Sequence, residues 1–116
     1  MAIPSGSGTE VLKRATIHGL TNSAQAVITG VANHIYTILS ITFTDQGGSA
    51  ETISMYVEPD AGATKIRLMQ DNPLPSYGTF VWNDKFVLSG TDILKVETGG
   101  SANVDVYISY IDQDWS

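Results

Sequence analysis

Residues 34–44 read His-Ile-Tyr-Thr-Ile-Leu-Ser-Ile-Thr-Phe-Thr, and this stretch decides the fold class. It is rich in β-branched and aromatic side chains, which suit a pleated surface, and it holds neither glycine nor proline. At period 2, Ile35, Thr37, Leu39, Ile41 and Phe43 share one face, and Tyr36, Ile38, Ser40, Thr42 and Thr44 share the other. A strand with one solvated face should be polar on that face. Tyr36 and Ile38 break this rule, so the second face is expected either to meet a partner or to be covered by the chain's own loops or arm.

The same period continues outward in both directions. Upstream, Val11, Lys13, Ala15 and Ile17 alternate with Leu12, Arg14, Thr16 and His18. A turn follows over residues 19–23, then a short strand over 25–29 closed by Gly30. Downstream, Asp45-Gln-Gly-Gly-Ser49 is a turn, since glycine accepts positive φ without penalty. Residues 52–58 place Ile53, Met55 and Val57 on one face, 59–62 turn, and 64–70 offer Ile66 and Leu68. Asp71-Asn-Pro-Leu-Pro75 reads as a rigid connection, because proline cannot donate to a ladder. Residues 78–88 carry Phe80, Val81, Trp82, Phe86 and Val87, with Asn83-Asp84 as either a bulge or a turn. In 92–98, Leu94 and Val96 alternate with Ile93, Lys95 and Glu97. In 103–111, Val104, Val106, Ile108 and Tyr110 alternate with Asp105, Tyr107, Ser109 and Ile111.

About eight short strands and no sustained helical period point to an all-β fold. The expected architecture is a single antiparallel β-sandwich, jelly-roll-like, with a tight barrel as the alternative. Residues 1–9, with two Gly, two Ser and a Pro, read as a flexible N-terminal arm, and 10–116 as the sandwich domain. The 116 residues fit one domain, which at this size buries about 65% of its unfolded surface. That suffices for a core without staples, and there are no cysteines to supply any.

The charge balance excludes several function classes. Six Lys+Arg face twelve Asp+Glu, a net charge of −6, and no basic run occurs. Nucleic-acid affinity rests on Lys and Arg neutralising phosphates, so direct nucleic-acid binding is not expected. The opening residues lack the basic and apolar regions of a signal peptide. No apolar stretch approaches the roughly 20 residues of a membrane helix, so no membrane partner is expected.

No pattern for catalysis stands out, and the expectation is a non-enzyme without a cofactor or metal. Nucleophilic catalysis needs a base beside a nucleophile, and the two histidines, His18 and His34, sit at strand ends outside any motif. Asp45, Asp60, Asp71, Asp84 and Asp92 fall in loops or strand ends, where aspartate favours turns through local hydrogen bonds. Asp112 and Asp114 are too sparse for a metal site. Gly47-Gly48 and Gly99-Gly100 lack the lysine and helix of a phosphate loop and read as hairpin turns.

An interaction surface is the better expectation. With charged residues at only 16%, aromatic side chains outside the core mark an interface. Tyr36, Ile38, Tyr56 and Tyr107 are expected to form an outer-face patch for self-association or docking. Trp115, the penultimate residue of the sequence given, joins them as a contact residue. Trp115 or Trp82 would also be the sugar-stacking platform if the sandwich were a carbohydrate- or receptor-binding module.

The second half of the chain carries a resemblance. Its order runs through Ile53, Ile66, Pro73-Leu-Pro75 and Phe80-Val-Trp82 to Phe86-Val-Leu-Ser-Gly-Thr-Asp-Ile-Leu-Lys-Val-Glu97 and the strand at 104–111. It resembles small β-sandwich virion proteins of tailed phages. In them a leucine-x-glycine-x-aspartate-x-leucine step leads into the penultimate strand, here Leu88, Gly90, Asp92 and Leu94, and a serine-tyrosine pair lies near the end, here Ser109-Tyr110. The resemblance covers roughly residues 30–111. It implies a virion structural protein assembled in the host cytoplasm, first a capsid decoration or cement protein binding the major capsid protein lattice as a homo-oligomer, a trimer for preference. A head–tail junction, tail or fibre component is the alternative.

Overall fold

A computed structural model describes residues 9–100 and 102–115. The expected arm, apart from Thr9, lies outside the described residues. Nine strands run in chain order: β1 (Thr9–Leu20), β2 (Gln25–Thr29), β3 (His34–Asp45), β4 (Glu51–Glu58), β5 (Ile66–Leu74), β6 (Thr79–Trp82), β7 (Phe86–Ser89), β8 (Ile93–Thr98) and β9 (Val104–Asp114). One sheet has the order β1-β9-β3-β6, with β7 also on β3, and the other the order β2-β8-β4-β5. Every pairing is antiparallel. Since β6 and β7 pair successively with the same side of β3, they are one strand interrupted at Asn83, Asp84 and Lys85. Counted so, eight strands wind between two facing sheets as a jelly roll.

The alternating residues supply the core from both sheets. Ile17, Ile41, Phe43, Val106 and Ile108 of the first sheet meet Ile53, Met55, Leu94 and Val96 of the second. Phe43 and Phe80 face each other at 6.3 Å, and Trp82 packs edge-on against Phe86 at 6.2 Å. The Trp82 ring lies against the core and its indole N–H donates to the Asp84 carbonyl at 2.8 Å.

The strand that decided the fold departs from strict alternation. Opposite β9, Ile38 pairs with Tyr110 but Ser40 with Ser109, so Leu39 is the extra residue of a β-bulge. The bulge reverses which parity faces inward. Before it Tyr36 and Ile38 point into the core; after it Ile41, Phe43 and Asp45 do. The expectation of one apolar face running unbroken from Ile35 to Phe43 is corrected accordingly.

A second departure is at residues 71–74, expected as a connection but paired with β4 as the end of β5. β5 is an edge strand, so the missing N–H of Pro73 leaves no ladder bond unmade. Asp71 takes up the irregularity with φ 51°, its N–H donating to Ser54 Oγ at 3.0 Å.

The Leu88–Leu94 step is a turn held by Asp92. Gly90 adopts φ 57°, and the Asp92 carboxylate accepts from the N–H of Ser89 (3.0 Å) and of Asp60 (2.9 Å). Gly30 packs beneath, its N–H donating to the Asp92 carbonyl at 2.9 Å. A Cβ at Gly30 would collide with the carbonyl oxygens of Gly90 and Asp92.

Candidate interaction surface

The outer face of the first sheet is the candidate surface, and the register fixes its rows. Thr16, Tyr107, Thr42 and Val81 lie side by side across β1, β9, β3 and β6. Leu12, Ile111, Thr37 and Val87 form a second row across β1, β9, β3 and β7. Between the rows sit Arg14, Ser109 and the bulged Leu39. Eight large apolar side chains are exposed among the described residues, and Leu12, Val81, Val87 and Tyr107 of this face are four of them. Leu12 is 71% exposed and Tyr107 49%. Open depressions flank Tyr107 on both sides, one lined by Thr16, His18, Thr42 and Asp105, the other by Leu12, Arg14, Leu39 and Ser109.

The face carries little charge. Arg14 and His18 stand against Glu10 and Asp105, whereas the whole chain holds −6. Asp105 is also structural: its Oδ1 accepts from the N–H of Gly19 at 3.1 Å and lies 2.8 Å from His18 Nδ1, and its Oδ2 accepts from Gln46 at 2.9 Å. Gly19, at φ 75°, makes the one register shift in β1.

Of the expected patch, only Tyr107 stands on an open outer face. Tyr36 and Ile38 are core residues, turned inward by the Leu39 bulge. The Tyr36 hydroxyl accepts from the Val31 N–H at 3.0 Å, and burial pushes its acidity down by raising its pKa. Tyr56 does point outward, but from the second sheet and beneath a roof. Lys65 Nζ lies 4.9 Å and the Arg67 guanidinium 5.5 Å from its ring centre, and it is 2% exposed. Beside it, Lys95 and Glu58 pair at 2.7 Å. A single patch holding Tyr36, Ile38, Tyr56 and Tyr107 does not form. Trp115 is half-buried near Asn33, Asp60 and Gly90, its backbone N–H donating to Asn33 at 3.2 Å. Its ring is not an open platform.

The titratable residues make structural pairs. The buried Asp112 carboxylate accepts from Lys13 Nζ at 2.8 Å and lies 2.7 Å from His34 Nδ1. Burial alone would raise the Asp112 pKa, but the hydrogen bonds from Lys13 and His34 outweigh it and hold the carboxyl below its usual value. The same bond raises the Lys13 pKa. Among the described residues, no group of three or more His, Asp and Glu is arranged to hold a metal ion.

Sequence reasoning missed Leu12, Leu39, Val81 and Val87 as surface residues, and it set Ile111 on the Tyr107 face without including it in the patch. The signal for Leu12 was present, as an apolar member of the set Arg14, Thr16 and His18. Val81 and Val87 likewise stand opposite the parity of Phe80, Trp82, Phe86 and Leu88.

No protein-family model and no curated protein matches the chain. Solved structures do match it in fold. A protein of Bacillus endospore appendages, described as a novel family of disulfide-linked pili, superposes with a TM-score of 0.55 at 15% identity, over 100% of this chain and 97% of that one. A chain of the acid-stable capsid of Helicobacter pylori bacteriophage KHP30 gives 0.55 at 10% identity, over 95% of each. Infectious bursal disease virus, Gx strain, gives 0.55 at 12% identity over 96% of this chain, which spans only 33% of that one. At these identities the likeness is one of fold.

Proposed function

We propose that the chain is a non-enzymatic structural subunit of a phage virion, a capsid decoration or cement protein that seats the outer face of its first sheet on the major capsid protein lattice. The observation that carries this reading is the pair of open rows holding Tyr107 with Val81 and Leu12 with Val87, on a sheet face whose few charges are of both signs. Aromatic and aliphatic anchors with few charges are what the centre of an interface requires. The fold likeness to a phage capsid chain over nearly the whole length of both is compatible with this role, as is the tailed-phage resemblance of residues 30–111. Decoration needs no chemistry: many modest symmetric contacts become strong by multivalency.

Quantitative mass spectrometry of purified particles of the phage that encodes the sequence tests the role. A copy number on the order of hundreds supports decoration by multivalent binding; a small ring-sized number supports a neck or tail position, and absence from particles overturns the reading. The face is tested by the Tyr107→Asp, Val81→Asp double variant. It should remain folded and fail to co-sediment with particles that retain the native chain.

A further inference from the structure

The edges of the two sheets are not alike. β2 is five residues long with a register shift between Ala26 and Ile28. β5 has two register shifts and Pro73. The β6–β7 edge is split at residues 83–85. Shortness, bulges, proline and interruption are the devices by which sheets prevent another strand from adding. β1 has none of these four over residues 9–17, where charge at Glu10, Lys13 and Arg14 is the one protective device. These residues pair with β9 in unbroken register from Thr9↔Asp114 to Ile17↔Val106, and among the described residues no strand lies on the other side of β1.

Two copies of such an edge can meet in only a few ways. In an antiparallel ladder alternate residues direct their N–H and C=O to one side, so the open side of β1 presents one parity. Two β1 strands related by a two-fold axis must set residues of the same parity opposite each other. The axis therefore passes through a residue and never between two. Residues 9–14 are exposed on both faces, so this half has room for a second chain. An axis at Lys13 or Arg14 sets that cation against itself. An axis at Val11 sets Glu10 against Leu12. An axis at Leu12 sets Glu10 against Arg14 twice, once on each side, with Leu12 against its own mate and Val11 against Lys13. Opposite charges directly across a ladder stabilise it and like charges destabilise it. Lys13, held by Asp112 of its own chain, leaves the outer-face pair to Arg14.

We propose that two copies join edge to edge, β1 antiparallel to β1, about a two-fold axis through Leu12. The two five-stranded sheets become one, and the open outer faces become a single continuous face twice as wide. This rests on the reading of the chain as an assembling subunit, but it uses the edge of the sheet where that reading uses the face. A two-fold pair also differs in mass from the trimer that the resemblance implies.

Sedimentation of the full chain over a concentration series tests it. The native chain should form a dimer. Glu10→Lys, and separately Arg14→Glu, each turn two attractive pairs repulsive and should weaken the dimer by about tenfold. The double variant Glu10→Lys, Arg14→Glu restores both pairs and should return to within about twofold of native. Single variants that dimerise like the native chain, a double variant as weak as the singles, or a native chain that is monomeric or trimeric throughout would overturn the proposal. If the dimer fails while particles still take up the chain, the edge is wrong and the face stands. If the dimer forms while particles refuse it, the reverse holds.

Discussion

Each sheet carries a tyrosine on its outer face, and the two are treated in opposite ways. Tyr56 on the second sheet is sealed by Lys65 and Arg67, with the Lys95–Glu58 pair alongside. Tyr107 on the first sheet is left open between two depressions. The chain has six cationic side chains in all, and it spends three of them on the second sheet. The second sheet thus covers its own aromatic residue, whereas under the proposed function the cover of Tyr107 is supplied by a partner.

The largest expected effect tests which side of the first sheet is the inside. Ile38→Asp buries a carboxylate at a fully enclosed position and should abolish folding, since the penalty exceeds about 4 kcal/mol. Leu39→Asp, one position along, should keep a cooperative transition in urea. If both unfold the chain, the bulge does not turn Leu39 outward.

Next comes the contrast between the tyrosines. Tyr56→Ala should lower unfolding free energy by about 3 kcal/mol, as for other buried aromatic truncations. Tyr107→Ala should change it by less than ~1 kcal/mol while reducing assembly. Equal losses of stability would erase the distinction between a sealed and an open face.

A smaller effect lies at the end of the first sheet. Asp112→Asn should cost about 1–2 kcal/mol near neutral pH, by weakening the bonds from Lys13 and His34. Because the folded carboxyl titrates below its unfolded value, its contribution is complete above the ordinary carboxylate pKa of about 3.9 and fades as pH falls through the lowered native value. Urea midpoints measured down the acid range should therefore fall less steeply for Asp112→Asn than for the native chain. Parallel slopes would show that Asp112 does not couple folding to acid.

The smallest effect removes the roof. Lys65→Ala and Arg67→Ala should each cost about 0.5–1 kcal/mol and make Tyr56 fluorescence more accessible to a quencher. If quenching is unchanged, other groups shield the ring.

The strand pattern was readable because period 2 is a local property. Residues 11–17, 53–57 and 104–110 face as their alternation says. What failed was extrapolation through Leu39. A bulge inserts one residue without requiring glycine, and nothing in Ile-Leu-Ser announces it, so Tyr36 and Ile38 were assigned to the wrong side. The β5 edge was misread because proline ends a central strand but not an outer one. Tyr56 was given its correct side but not its cover. Lys65 and Arg67 reach it across a strand pairing that no single segment reveals. The open face was half legible, with Tyr107 found and Leu12, Val81 and Val87 passed over one residue at a time.

The break between β6 and β7 has a practical use. Asn83, Asp84 and Lys85 are exposed, and the segments on either side are each pinned separately to β3. A short epitope inserted between Asp84 and Lys85 therefore interrupts no ladder, and exposed loop positions of this kind tolerate insertion. It would sit at the rim beside Val81 and Val87, so antibody access to the free chain and to the proposed assembly would report which way that face is turned.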